Sequence, residues 1–76
     1  MIFQIKLNKE DIEEFCEVCT QLKNAGVYVE VFQDNKVISG SSIIGLAIID
    51  FDRPAHIITR VKIERTAIEK LDRWRI

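Results

Sequence analysis

Apolar and polar residues alternate from Ile2 to Leu7, with Phe3, Ile5 and Leu7 on one side and Gln4 and Lys6 on the other. A period of two marks a half-buried strand. Asn8 then reads as a helix N-cap, and Asp11 can reach back to its amide as in a capping box. Leu7 and Ile12 have the spacing of a hydrophobic staple. Ile12, Phe15, Cys16, Cys19 and Leu22 recur at three- and four-residue intervals, which predicts an amphipathic helix ending near Asn24-Ala25-Gly26. Gly26 there can take the positive φ of a helix C-terminus.

Val27 to Phe32 alternates again, with Val27, Val29 and Val31 inward and Tyr28, Glu30 and Phe32 outward. Asp34-Asn35 is a two-residue hairpin turn, since both residue types tolerate left-handed φ, and Lys36 to Ser39 returns as a short strand. The apolar run Ile43 to Ile49 follows Gly40-Ser41-Ser42, and serine at its start favours a helix of about two turns. Asp50 to Pro54 is a loop. Ala55 to Ile63 alternates as a fourth strand, and Thr66 to Trp74 carries Ala67, Ile68, Leu71 and Trp74 on one helical face.

The element order is β-α-β-β-α-β-α. Each strand has one apolar and one largely polar face, so the helices cover one side of the sheet and leave the other to water. The expected architecture is an α+β, two-layer open-faced sandwich, a four-stranded antiparallel sheet under three helices. A ferredoxin-like domain has a similar element string, but its second helix is normally about as long as its first.

Length and composition narrow the function more than the fold. Seventy-six residues form one domain, 47% of them hydrophobic and 30% charged, the balance of a folded globular chain. A net charge of -1 supplies no long-range attraction to nucleic acid or anionic lipid. No apolar run approaches the ~20 residues of a membrane span, and Met1-Ile2-Phe3-Gln4 does not open a secretory signal. A cytoplasmic protein is expected, and the sequence leaves its oligomeric state open.

The segment Val37-Ile38-Ser39-Gly40-Ser41-Ser42-Ile43-Ile44-Gly45-Leu46 resembles the signature around the regulatory serine of the histidine-containing phosphocarrier family, HPr. There a strand leads into Ser-Ile-x-Gly-hydrophobic. The resemblance implies a regulatory or adaptor protein related to the sugar phosphotransferase system. Its partners would be a regulator, a kinase or another component of that system. It also implies phosphorylation at Ser42 and an apolar docking patch at Ile43, Ile44 and Ala47. In the family, the loop after the first strand carries Gly-x-His-x-Arg-Pro, whose histidine accepts a phosphoryl group. Counting back from Ser42 places Asp11 at the histidine position, with Glu13 where arginine belongs and Glu14 where proline belongs. The turn that follows the family's fourth strand, Gly-x-Asp-Glu, has no counterpart either. Glu10, Asp11, Glu13, Glu14 and Glu17 would repel an incoming dianion, while the same carboxylates complement a helix N-terminus. The expectation is a non-catalytic member without cofactor or metal.

Other candidates read more simply as structure. Asp11 is a capping carboxylate before it is an acyl-phosphate site. Ser42 is an N-cap as well as a phosphorylation candidate, and a phosphate there would suit a helix start. Ile43 and Leu46 share one side by spacing, and Ile44, Ala47 and Ile48 the other. Cys16-Glu17-Val18-Cys19 lies mid-helix beside the apolar stripe, unlike a redox pair at an exposed helix start, and no second pair completes a zinc site. His56, the only histidine, shares the open sheet face with Ile58, Arg60 and Lys62, where Glu30 argues against single-stranded nucleic acid.

Overall fold

The computed structural model describes residues 2–59 and 69–76. Strand β1 covers Ile2–Ile5, helix α1 Ile12–Asn24, β2 Val29–Gln33, β3 Lys36–Ser39, helix α2 Ile43–Leu46 and β4 Ala55–Thr59. Single 3-10 turns occupy Lys9–Asp11 and Asp72–Trp74. The domain is thus α+β, with a four-stranded sheet in the order β1-β4-β2-β3 and every neighbouring pair antiparallel.

The alternation in each strand sets which face is covered. Phe3 and Ile5 from β1, Val29 and Val31 from β2, Ile38 from β3 and Ala55 and Ile57 from β4 point into one core. Phe15, Cys16, Cys19 and Leu22 of α1 close over them with Leu46, Ile49, Leu71 and Trp74. The pairs Phe32 with His56 and Glu30 with Ile58 fall on the opposite, half-exposed face, flanked by Gln4 and Ile2 on β1. His56 therefore lies on the open face as its parity requires, while Arg60 and Lys62 lie outside the described residues.

Helix α1 begins and ends through local hydrogen bonds. Asp11 Oδ2 accepts the Asn8 N–H at 3.2 Å, the backward half of a capping box. The first turn after Asn8 is 3-10, and the α-helix starts at Ile12. At the other end Gly26 has φ 89°, its N–H donates to Lys23 O, and the Val27 N–H donates to Leu22 O. These two bonds form a Schellman motif, and buried Leu22 and Val27 supply its apolar contact. The β2–β3 hairpin turns through Asp34 at φ 55° and Asn35, with Gln33 facing Lys36.

Several expectations need correction. Strand β1 ends at Ile5 instead of Leu7, β2 spans 29–33, and α2 is one turn long where two were expected. The expected last helix, Thr66 to Trp74, begins outside the described residues and closes in a 3-10 turn. The expected strand residues 60–63 also lie outside. Trp74 is buried against Phe15, ring centroids 5.1 Å apart at 83°, an edge-to-face pair contributing about 0.5–1.5 kcal/mol beyond its area. The chain's last residues then run along β1: Lys6 N–H donates to Trp74 O at 2.8 Å, Ile76 N–H to Gln4 O at 3.1 Å, and Arg75 bridges Ile5. That pairing covers part of an edge which would otherwise offer free backbone groups.

Candidate docking site at the second helix

The site begins with Ser42. Its backbone is extended, and its Oγ accepts the Gly45 N–H at 3.1 Å, while its carbonyl accepts the Leu46 N–H at 2.9 Å. The serine is a working N-cap, a contribution of about 1 kcal/mol. Gly45 explains the Ser-Ile-x-Gly spacing physically. A Cβ on Gly45 would sit 2.6 Å from Ile38 Cγ2, so only glycine lets α2 lie directly on β3.

A single turn has room for one buried face, and Leu46 takes it, with Ile49 following in the next turn of chain. The remaining apolar residues point outward: Ile44 is 85% exposed, Ile48 57% and Ile43 51%, and Ala47 is exposed too. Ile43 thus departs from the side it shares by spacing with Leu46, because one turn is too short to bury both. Every residue from Val37 to Ile49 is uncharged. An apolar surface free of charge is the composition of an interface centre.

Helix α1 positions this surface. Cys16 Sγ donates to Ser41 O at 3.2 Å, and a Cβ on Gly40 would lie 2.7 Å from Cys19 Sγ. The connection from β3 therefore lies close along α1, moving from Cys19 at Gly40 to Cys16 at Ser41. It heads toward the helix start, where Asp11 is half-buried and held by Asn8. Ser41 therefore sits against α1 at Cys16, and α2 starts two residues on. The cysteines serve packing. Burial, with a smaller contribution from Cys16, pushes the Cys19 thiol up to about 12, far from a thiolate at neutral pH.

Two features escaped the sequence reading. Gln33 continues the inward parity of β2 and is only 4% exposed. Its Nε2 donates to Asp50 O at 2.9 Å and its Oε1 accepts the Asp50 N–H at 2.8 Å, fixing the loop that leaves α2. Arg53 then ties the same loop to the hairpin turn, bonding both carboxylate oxygens of Asp34 and, through Nε, Asp50 at 2.9 Å. The signal for Gln33 was its place in the alternation, overridden by its polarity. The second feature is a cleft of about 330 Å³ lined by Cys19, Lys23, Tyr28, Val29, Glu30, Ser39 and Ser41, behind the β3–α2 connection.

Among the described residues no three metal-ligating side chains gather, and no helix is long and apolar enough to cross a membrane. Compared with family models, curated proteins and solved structures, the chain gives no match.

Proposed function

We propose that this domain is a non-catalytic, HPr-like regulatory or adaptor protein that binds a partner protein through α2, with Ser42 as a phosphorylation switch beside the contact. The exposure of Ile44 beside Ile43 and Ala47 carries the reading: these are the positions that the family resemblance assigns to docking, and exposed Ile48 extends the patch. Strand order supports it as well. The middle of the sheet holds β4 and β2, whereas a ferredoxin-like domain would have its first and third strands there.

The switch part rests on the resemblance and on local chemistry. Ser42 is half-buried, next to Ser41, and its Oγ accepts the capping bond from Gly45 N–H. Because α2 is a single turn, a phosphate would gain little from a helix dipole; its effect would be to place about two negative charges beside an uncharged patch.

Two measurements test the proposal. Incubation with an HPr serine kinase and ATP should add one phosphate, and Ser42→Ala should abolish it. An isotope-labelled chain titrated with phosphotransferase components and HPr-binding regulators should show shifts at Ile43, Ile44, Ala47 and Ile48. Ile44→Asp should fold normally and lose them. An unmodified mass, together with an α2 that none of these proteins perturbs, overturns the reading.

A further inference from the structure

The cleft behind the β3–α2 connection exists because β2 outruns β3. The register of the two strands ends with Glu30 opposite Ser39, and Gly40 N–H still donates to Val29 O at 2.9 Å. The chain then turns away, with Ser42 N–H closing on Ser39 O at 3.1 Å. At that end Val29 and Tyr28 line, with α1, a cleft of about 330 Å³, large enough for a small metabolite. Cys19 and Lys23 come from one face of α1, four residues apart. Buried Cys19 and Val29 form an apolar floor, while Tyr28 and Lys23, both exposed, form the outer wall.

The polar groups of this lining are mostly donors. The Lys23 ammonium has three N–H bonds to give and no ion pair among the described residues. Ser39 Oγ and Ser41 Oγ lie 3.0 Å apart, so one hydroxyl hydrogen closes that contact and the other is left to donate outward. Tyr28 adds a third hydroxyl. The lining's one carboxylate, Glu30, has a partner of its own, and burial keeps the Cys19 thiol neutral at neutral pH. Donors and a positive charge around an apolar floor suit a ligand that brings acceptors and a negative charge. We propose that the cleft binds a small organic anion, its carboxylate or phosphate on Lys23 and the serine hydroxyls and its apolar body against Cys19, Val29 and the Tyr28 ring. This site goes beyond docking through α2, and neither depends on the other.

The test titrates phenylacetate and phenyl phosphate into the isotope-labelled full chain at fixed ionic strength. Benzyl alcohol serves as the uncharged counterpart and inorganic phosphate as the head alone. Ligands of about ten non-hydrogen atoms are expected to bind at about millimolar concentration. One or both acids should shift the amides of Cys19, Lys23, Tyr28, Val29, Ser39 and Ser41, and the tighter of the two identifies the head. Benzyl alcohol and inorganic phosphate should each bind about tenfold more weakly, the loss of a charge-assisted bond or of the apolar contact. Lys23 is exposed, so Lys23→Gln keeps the fold; it should weaken the acids about tenfold and leave benzyl alcohol unchanged. The inference is overturned if neither acid shifts the cleft, if benzyl alcohol binds as tightly as the acids, or if Lys23→Gln changes nothing. Inorganic phosphate binding as tightly as phenyl phosphate overturns it too, by reducing the cleft to a bare ion contact. Docking is read at Ile43, Ile44, Ala47 and Ile48, outside this set of amides, so the two proposals fail separately.

Discussion

Gln33 offers the sharpest test of how the region around α2 is held. Its amide is buried in the sheet, and it supplies both a donor and an acceptor to the backbone of Asp50, with longer approaches to Arg53 O at 3.4 Å and Pro54 O at 3.3 Å. Gln33→Leu preserves most of the side-chain volume and removes both good bonds. At about 0.5–1.5 kcal/mol for each, the loss is about 1–3 kcal/mol, rising further where water cannot reach the orphaned groups. A domain of 76 residues at about 0.05–0.15 kcal/mol per residue holds only about 4–11 kcal/mol, so the change is large. With a urea dependence of about 1 kcal/mol/M for so small a chain, the unfolding midpoint should fall by about 1–3 M. Gln33→Glu should be worse at neutral pH, because its carboxylate would face the Asp50, Arg53 and Pro54 carbonyls where the amide now donates. Protonation should restore part of the loss as the pH falls. Hydrogen exchange at Asp50 is the local readout, and protection there should drop in Gln33→Leu. An unchanged midpoint with a still-protected Asp50 amide would refute the account.

Three further outcomes follow from the same packing. The Cys19 thiol, raised by burial from 9.0 to about 12, favours the folded state fully below pH 9 and loses that contribution as the pH climbs toward about 12, so Cys19→Ala should show a shallower alkaline decline in Tm. An equal decline in both proteins would contradict this. The hydrogen bonds from Arg53 hold the Asp34 carboxyl below its ordinary 3.8, while Asp50 is lowered first by the Asp52 N–H and then by Arg53. Both carboxyls favour folding above that ordinary value and less as the pH falls below it. In Arg53→Leu, carbon-detected titration should find Asp34 returning toward 3.8 more completely than Asp50, and equal returns would count against the assignment. Gly45→Ala should cost about 1–3 kcal/mol in urea unfolding by driving a methyl into Ile38; no loss would mean that α2 rides loosely on β3.

The elements whose periodicity is coupled to a cap were legible in the sequence. Helix α1 announced both ends, through Asp11 acting on Asn8 and Gly26 closing a Schellman motif, and the hairpin announced its turn at Asp34-Asn35. Lengths were less legible. β1 stops at Ile5 because its partner β4 begins opposite it at Ala55, a residue about fifty positions away in sequence. No local pattern encodes such a pairing. Gln33 was hidden for a related reason: a polar side chain on an inward position is satisfied only by a loop that returns from beyond α2. The apolar run Ile43 to Ile49 gave no polar landmark with which to divide buried from exposed positions, so its burial waited on the structure.

That division is also the strongest argument that α2 is used. Fully burying an isoleucine is worth about 1.5–3 kcal/mol, and Ile43, Ile44 and Ile48 leave most of that unclaimed in a domain whose whole stability is of order 4–11 kcal/mol. Packing does not demand them there. Leu46 and Ile49 already fill the core beneath α2, and serine or lysine at the outer positions would serve the fold as well and solubility better. At Asp11 the pattern is opposite, since its carboxylate meets a local structural need at the start of α1. The acidic start of the helix is explained by folding alone. The exposed isoleucines are not, and the proposed docking through α2 is what would recover their burial.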